Sequence, residues 1–327
     1  MLEQLPFQPL KLSSDFLLED SFVYLPGKRK KISLPSPSIV LIPQKDPRDL
    51  FLLPQIVNSL QTQAFYHTSF TKTLHNFQHY LQTCGFFPNK LFSTLKNSLN
   101  LLKIYELFDE FRVSPSQLLL TIQTSLQKGC HFLLYEGECL PEQWEDVVFS
   151  LLSSSEEERF VYVNLSYDYI TAAKSNIHIS FSGPFILHKQ EKRDEVIKEL
   201  FSKQKQTFTL TPGHLFSYTL FSPDMQTGIS RQYLFYKMNR LANIVYREKT
   251  CNVSQECLEY SYDELFATPL QEAKRNGYIT YKNKKYIQKP KLRDALSIGN
   301  IYYKQYYDLQ FIVPILDKNW NEVADYD

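Results

Sequence analysis

The sequence predicts an α/β protein with a mostly parallel sheet flanked by helices, followed by a mainly helical region. Two observations support this prediction. Short β-branched and aromatic runs alternate with segments whose apolar residues recur at helical spacing, and this alternation is typical of strand–helix–strand units. From Thr211 onward helical patterns dominate. The length of 327 residues is sufficient for one large domain or for two unequal ones.

The predicted strands lie in the first two thirds of the chain. The run 38–42 is short and β-branched and is followed by Pro43, as expected for a buried strand of a parallel sheet. Further strands are predicted at 85–87, 131–135, 160–166, 177–181 and 185–188. We therefore expect a sheet in which helical segments connect parallel neighbours.

The predicted helices are defined by apolar spacing and by signals at their ends. Ser114 and Pro115 form a strong helix start, because Ser is a good N-cap and Pro fits the first helical position. Ser261 with Glu264 has the pattern of a capping box. Helices are predicted over 50–61, 71–81, 91–111, 115–128, 141–152, 193–203, 215–221, 232–247, 262–275 and 295–313.

A β-hairpin is predicted inside the helical region, and the change in pattern predicts three parts of the chain. The runs 278–281 and 285–287 flank Asn283-Lys284, which is a turn signal between two strand-like runs. The three predicted parts are an N-terminal extension over 1–37, an α/β acyltransferase-like domain over 38–206 and a mainly helical region with the hairpin over 207–327.

Composition limits the classes of function. The net charge of +1 gives no overall field that would attract nucleic acid or an anionic membrane. The 5 Cys are odd in number and form no CxxC pair, which indicates reduced thiols in a cytosolic protein. The His residues form no zinc-ligand cluster, so no metal site is predicted. No signal-peptide pattern and no apolar run of roughly 18 residues is present, so we expect a cytoplasmic protein whose only membrane contact is peripheral.

Carboxylates follow two of the predicted strands. Asp46 and Asp49 follow the first strand, and Glu136 follows the strand that begins at His131. Open α/β sheets bind ligands beyond the carboxyl ends of their strands, so these acids are candidate site residues. Taken singly, each acid also fits a solvated loop position. The sequence has neither a Gly-x-Ser-x-Gly elbow nor a phosphate-binding P-loop.

These segments resemble, in order, the motif blocks of the glycerol-3-phosphate and dihydroxyacetone-phosphate acyltransferases, within the glycerolipid acyltransferase superfamily. The first block is a strand followed by HxxxxD. Here Gln44 stands at the His position and Asp49 at the Asp position. The second block resembles Gly-x-Phe-Phe-Ile-x-Arg and lies at 85–90, with Lys90 as its cation.

The third and fourth blocks also have counterparts. The third resembles Phe-Pro-Glu-Gly and keeps Glu136 and Gly137, while the fourth resembles a strand that runs into Ser-Tyr-Asp and ends here at Asp168. Three later segments resemble a Phe-Gly-x-Pro strand, a Val-Thr-Pro-x-x-Leu helix start and an aromatic-aromatic-Lys helix, and they lie at 177–184, 210–216 and 301–304. The resemblance spans residues 39–310.

The resemblance implies an O-acyltransferase of phospholipid biosynthesis without a bound cofactor. The donor would be acyl-CoA or acyl carrier protein, and the acceptor a glycerol-phosphate-type hydroxyl. In an intact member, His removes the hydroxyl proton and Asp orients the imidazole. The implied catalytic positions are therefore Gln44 and Asp49, and the implied substrate-binding residues are Lys90, Glu136 and Gly137. An amide does not titrate at physiological pH, so Gln44 cannot act as the base.

The missing base leaves two readings of this resemblance open. An acyltransferase that retains activity would use a carboxylate such as Asp46, Asp49 or Glu136, if burial raised its pKa. A catalytically inactive relative would bind lipid or regulate an active partner, and ligand would stabilise it without turnover.

Basic segments suggest two further kinds of partner. The helix predicted at 262–275, followed by a hairpin with Lys282, Lys284 and Lys285, resembles a winged helix, whose wing contacts nucleic-acid phosphates. The balanced net charge argues against nucleic acid. The Lys-Arg-Lys-Lys run at 28–31, together with exposed aromatic residues, predicts peripheral attachment to an anionic membrane surface.

Overall fold

The structure, a computed structural model, confirms the α/β class for the part of the chain that it describes. That part comprises residues 21–24, 37–43, 64–68, 120, 122–124, 126–127, 131–136, 148–153, 155–171, 175–294 and 300–322. Within it, helices accompany sheets that combine parallel and antiparallel strands. The predicted helices at 50–61, 71–81 and 91–111 and the predicted strand at 85–87 lie outside the described residues.

The elements are numbered in chain order among the described residues. The strands are β1 (Ser21–Tyr24), β2 (Ile39–Pro43), β3 (Ala64–Thr68), β4 (His131–Glu136), β5 (Glu157–Asp168), β6 (Ser175–Phe181), β7 (Phe185–His188), β8 (Thr209–Leu210), β9 (Ile229–Ser230), β10 (Asn252–Val253), β11 (Ile279–Lys282) and β12 (Lys285–Gln288). The helices are α1 (Arg193–Thr207), α2 (Pro212–Phe221), α3 (Pro223–Thr227), α4 (Arg231–Arg247), α5 (Gln255–Glu259), α6 (Tyr262–Arg275), α7 (Pro290–Asp294), α8 (Ile301–Tyr307) and α9 (Val313–Glu322). Helical residues also lie at 122–124, 126–127 and 148–153.

The described residues form two compact units, and the first contains β2, β3, β4, the start of β5, β7 and most of α1. Strand β4 lies between β3 and β2, and β2 also pairs with β5, all in parallel. Strand β7 pairs antiparallel with the start of β5. The three-part division at residues 37 and 206 stays a prediction.

The core of the first unit explains why β2 is apolar along its whole length. Ile39 and Leu41 are inaccessible to solvent, and they belong to the same buried cluster as Val148 and Leu151 from the helical segment 148–153 and Val196 from α1. A parallel strand covered by helices has no solvated face, so it has no alternation of polar residues. This is the physical reason that the run 38–42 could be predicted as a strand.

The second unit is mainly helical and has its own core. It contains β1, the end of β5, most of β6 and the chain from the end of α1 onward. Strand β1 pairs parallel with β6, and β8 pairs parallel with β10. Large buried side chains, including Phe216, Phe266 and Trp320, belong to one cluster formed by the helices. None of the described helices is long and apolar enough to cross a membrane.

The predicted hairpin is confirmed and is extended by a third strand. Strands β11 and β12 pair antiparallel, with Lys282 opposite Lys285. Asn283 and Lys284 both have positive φ, of 52° and 62°, as a two-residue type I′ turn requires. Strand β12 also pairs with β9, which precedes α4. The result is a three-stranded antiparallel sheet in the order β11-β12-β9.

Two local predictions are wrong. Ser261 is the N-cap of α6 but makes no side-chain capping hydrogen bond, and its carbonyl oxygen instead accepts from the backbone N–H of Glu264. The helix predicted over 295–313 is divided, because α8 ends at Tyr307 and α9 begins at Val313. Pro314 lacks a backbone N–H and fits the first turn of a new helix, which explains the restart.

An ion pair between a buried lysine and a partly exposed aspartate connects three helices of the second unit. Lys237 of α4 is 2% exposed, and its Nζ donates to Oδ2 of Asp224 in α3 at 2.6 Å. The indole N–H of Trp320 in α9 donates to the same oxygen at 3.0 Å. The Lys237 ammonium also lies 4.6 Å from the centre of the Trp320 ring. Removing one partner of such a pair leaves a buried charge uncompensated.

We expect Asp224→Ala to lower the free energy of unfolding by about 3 kcal/mol, because it leaves the Lys237 ammonium buried without its counter-ion. Combining it with Lys237→Met should recover most of that loss. Asp263→Ala is the control, since the ion pair of Asp263 with Arg231 is exposed and contributes less than about 1 kcal/mol. Urea unfolding measures all three variants. Equal losses for Asp224→Ala and Asp263→Ala would contradict the assignment.

Candidate functional site

Glu136 is the one predicted site residue within the described part of the chain. It is the last residue of β4, and its backbone pairs with Pro43, the last residue of β2. Adjacent strands lie about 4.8 Å apart, so the carboxyl ends of β2 and β4 are neighbours at one sheet edge. The other predicted catalytic and binding residues lie outside the described residues: Gln44, Asp49, Lys90 and Gly137.

A second group of polar residues lies at the carboxyl end of β5, in the second unit. Asp168, the last residue of β5, is fully buried. Its Oδ2 accepts from the backbone N–H of Gly213 at 3.0 Å, and its Oδ1 accepts from the N–H groups of Ile170 and Thr171 at 2.9 and 3.0 Å. The Thr171 hydroxyl also donates to Oδ2. These hydrogen bonds offset the cost of removing the carboxylate from water.

The donor at Gly213 belongs to the N-terminus of α2, which explains why a carboxylate lies there. Thr211 is the N-cap of α2 and Pro212 is its first residue. The first N–H groups of a helix have no partner within the helix, and the helix dipole favours negative charge at this end. A Cβ atom at Gly213 would overlap with the Asp168 carboxylate and the Gln305 side chain. Glycine therefore permits this close approach.

His214 completes the cap of α2. Its N–H donates to Oγ1 of Thr211 at 3.3 Å, and its Nδ1 accepts from the N–H of Thr211 at 3.2 Å. Because Nδ1 accepts from a backbone donor, we infer that the neutral ring has its proton on Nε2. Nε2 lies 3.9 Å from Oδ2 of Asp308, the C-cap of α8. The buried imidazole thus has a defined orientation between α2 and α8.

Helix α8 supplies the remaining groups of the site. The side-chain amide of Gln305 donates to the carbonyl oxygen of Tyr167 at 2.8 Å and accepts from the N–H of Tyr169 at 3.2 Å. The Lys304 ammonium donates to the Tyr169 hydroxyl at 3.3 Å and lies 4.6 Å from the centre of the same ring. We call Asp168, Gly213, Lys304 and Gln305 the Asp168 cluster. It combines a carboxylate, a helix N-terminus and a cation.

The Asp168 carboxylate is placed to organise the site and not to remove a proton from substrate. Its two oxygens accept four hydrogen bonds, so their lone pairs are directed at protein donors. Lys304 is only partly buried and is the cationic group of the cluster. The Gly213 N–H at the start of α2 is already bonded to Asp168, so Lys304 is the group of the cluster that is chemically suited to an anionic ligand such as a phosphate.

Other titratable groups in the second unit are buried and poorly suited to nucleophilic chemistry. Burial raises the pKa of the Cys251 thiol to about 12 and that of Cys257 well above its ordinary value, so both remain protonated. Burial also lowers the pKa of His178, although the carboxylates of Glu256 and Asp168 oppose that shift and the nearby imidazole of His214 adds to it. Within the described ranges, no three His, Cys, Asp or Glu side chains form a group that could hold a metal ion.

Sequence reasoning did not select Asp168 as a site residue. The rule that directed attention to Glu136, an acid at the carboxyl end of a predicted strand, applies equally to Asp168. It therefore could have been found. Gln305 could not, because a glutamine within a helical pattern gives no signal that it bonds the backbone of a strand 138 residues earlier.

We expect Gly213→Ala to lower the free energy of unfolding by about 1–3 kcal/mol, because the added methyl group overlaps with a carboxylate that four donors hold in place. Gly183→Ala is the matched control, since a Cβ atom there would meet nothing within 4 Å. It should stay within about 0.5 kcal/mol of the parent. Chemical denaturation followed by circular dichroism compares the two. A harmless Gly213→Ala would refute the close packing of the cluster.

We expect the free energy of unfolding to fall as pH drops below about 6.5, in part because of His178. Its pKa is lowered in the folded state, so below that pH the unfolded chain binds a proton that the folded chain does not. The loss continues until the pH reaches the lower pKa of the folded state. In His178→Gln this contribution disappears and the slope of stability against pH becomes shallower between pH 7 and 5. Identical slopes for parent and variant would contradict the assignment.

Comparisons with known proteins do not extend this description. No protein-family model matches the chain, and no curated protein and no solved structure matches it. The chemistry assigned to the site therefore depends on the geometry and charges described above.

Proposed function

We propose that this chain is a glycerolipid acyltransferase-like protein. The reaction of that scaffold transfers a fatty acyl group from acyl-CoA or acyl carrier protein to the hydroxyl of a glycerol-phosphate-type acceptor. The acceptor oxygen attacks the thioester carbonyl, a base takes the hydroxyl proton, and the thiolate leaves. In this chain Gln44 stands where that base is expected.

The observation that supports the proposal best is that three motif segments meet at the carboxyl end of β5. The fourth block ends at Asp168, the Thr-Pro segment contains Gly213, and the aromatic-aromatic-Lys segment is followed directly by Gln305. Gly213 donates to Asp168, and Gln305 accepts from the residue after Asp168. The first two segments are 45 residues apart in the chain, so local structure does not bring them together. Segments selected by resemblance alone would be in contact only by coincidence.

The backbone of the first unit gives a second, independent support. The strand before Gln44 and the strand that ends at Glu136 are parallel neighbours, in register from Ile39 with Phe132 to Pro43 with Glu136. An acceptor phosphate bound at such a sheet edge would lie next to a residue that follows the first strand. This is the arrangement that the first and third blocks require.

The second candidate function is ligand binding by the same scaffold without acyl transfer. The observation that favours it is Gln44, since an amide cannot take a proton from the acceptor hydroxyl, and no His lies five residues before an Asp anywhere in the sequence. Such a relative would bind an acyl thioester or a glycerol phosphate without reaction. The two candidates are separated by measuring radiolabelled acyl transfer and thermal stabilisation by the same ligands. Stabilisation without transfer identifies the inactive relative.

We expect Gln44→His to raise acyl transfer to glycerol 3-phosphate by about 100-fold or more. The five-residue separation from Asp49 is kept, so an imidazole at position 44 has a carboxylate available to orient it, and general-base catalysis contributes roughly 10²–10⁴-fold. The measurement is the initial rate of acyl transfer from acyl-CoA and from acyl carrier protein, with the parent chain assayed in parallel.

The control for that experiment is Gln44→His combined with Asp49→Asn. This variant has the same imidazole without the carboxylate, so it should lose most of the gain if the base acts through its orientation. Gln44→Asn, which introduces no titratable group, should leave the rate at the parent value. If Gln44→His folds as well as the parent and gains nothing, the acceptor site is not intact and the inactive relative is the better description.

A further inference from the structure

The hairpin of the second unit concentrates positive charge that the rest of the chain balances. Residues 274–293 include eight Lys or Arg and no Asp or Glu, whereas the whole chain has a net charge of +1. The three lysines at the hairpin tip, Lys282, Lys284 and Lys285, are all exposed. Lys274 and Arg275 are exposed at the end of α6, directly before the hairpin.

The lysines of the hairpin repel one another. Lys282 and Lys285 are direct cross-strand partners, and Lys284 lies in the turn between them. Like charges directly opposite in an antiparallel pair destabilise it. A hairpin selected only for stability would have an opposite charge or a neutral pair at this position.

The backbone of the turn adds a second penalty at Lys284. Its φ is 62°, in the left-handed region that side chains other than glycine disfavour, and the second position of a type I′ turn is normally glycine. Asn283, with φ of 52°, is a residue that tolerates this conformation, but lysine is not. The hairpin thus retains a cation at its tip despite both electrostatic repulsion and an unfavourable backbone.

The nearby acids do not neutralise the hairpin. Asp263 is paired with Arg231 at 2.7 Å, and Glu272 lies 3.9 Å from Arg275. Asp263 lies near β12, where burial raises the pKa of Tyr286, the Arg231 cation opposes that shift and the Asp263 carboxylate adds to it, so the acid near the hairpin already has its own cation. Charges are screened beyond about 8 Å at physiological ionic strength, so the local charge and not the net charge decides contact with a polyanion.

The shape of the hairpin favours a nucleic acid over a membrane surface. Its tip consists of Asn283 and Lys284, with no large apolar side chain to enter a bilayer. The nearest aromatic residues, Tyr281 and Tyr286, pack on each other with ring centres 4.8 Å apart, although Tyr281 remains 47% exposed. Strand β12 also pairs with β9 at Lys285 and Tyr286, so the hairpin lies in a three-stranded sheet, and its exposed lysines would contact duplex phosphates from outside the groove.

We propose that the β11–β12 hairpin binds duplex nucleic acid through its phosphates, with Lys282, Lys284 and Lys285 as the contacting cations. The proposal is independent of the acyl-transfer proposal, because it depends only on the charge and exposure of the hairpin lysines in the second unit. It concerns affinity for the phosphate backbone and assigns no base sequence.

The test measures binding of the full chain to a fluorescently labelled 20-base-pair DNA duplex by anisotropy, over a series of salt concentrations. The logarithm of the binding constant should fall linearly with the logarithm of salt concentration, with a slope of about −0.9 for each phosphate that a lysine contacts. Absence of binding by the parent chain at low salt would overturn the proposal.

The decisive variants are Lys284→Gly and Lys249→Gly. Lys249 is also an exposed lysine with positive φ, of 54°, but it lies at the end of α4 and outside the hairpin. Both changes remove one charge and relieve the same backbone penalty, so both should raise the melting temperature. Only Lys284→Gly should weaken binding and reduce the salt slope by about 1. Equal weakening by both variants would show that general charge, and not the hairpin, is responsible.

The vesicle arm separates nucleic acid from a lipid surface. The parent chain is floated with phosphatidylcholine vesicles, with and without phosphatidylglycerol, and in parallel titrated with the duplex. We expect binding to the duplex and loss of it in the triple variant Lys282→Gln, Lys284→Gly, Lys285→Gln. Recovery with phosphatidylglycerol vesicles that the triple variant loses, without binding of the parent chain to the duplex, would overturn the proposal and assign the hairpin to the membrane.

Discussion

In the second unit, the way β5, α2 and α8 meet is explained by one buried negative charge, the carboxylate of Asp168, which must be compensated. Asp168 is inaccessible to solvent, and an unpaired carboxylate in such a place would cost several kcal/mol. The N-terminus of α2 supplies a donor and a favourable dipole, and the turn after β5 supplies further N–H groups. The buried carboxylate also restricts which residues can occupy positions that do not bond its oxygens. It requires a glycine at position 213, and Thr211 and His214 cap the helix that presents this glycine.

Charge is handled in two opposite ways within this unit. Lys237 is buried, and it has Asp224 as counter-ion and the Trp320 ring beside it. The lysines of the β11–β12 hairpin are exposed, adjacent to one another and without such compensation, and one of them occupies an unfavourable backbone conformation. Compensated charges support the fold, whereas repelling charges at a hairpin tip do not. Lys237 therefore has a structural role, whereas we propose that the hairpin lysines contact a partner.

The proposed acyltransferase scaffold and the loss of its base are compatible. Strand pairing and capping depend on backbone groups and buried side chains, none of which needs an imidazole at position 44. The parallel pair β2–β4 and the Asp168 cluster can therefore be retained when proton transfer is not. A scaffold of this kind could still bind an acyl thioester or a glycerol phosphate, because binding and proton transfer use different groups. Acyl transfer by this scaffold requires a site next to Gln44 that orients the acceptor hydroxyl.

The sequence alone determined the α/β class, the strand around Leu41, the helix Tyr262–Arg275 and the hairpin, because each has a local signal in its own residues. Apolar runs, helical spacing and a two-residue turn depend on neighbours in the chain. The same reasoning failed for the helix predicted over 295–313, which is interrupted between Tyr307 and Val313, where Pro314 favours the start of a new helix. Only the tertiary structure decided that Asp168, Gly213 and Gln305 form one cluster, since hydrogen bonds between residues 45 or more positions apart leave no periodic pattern in the sequence.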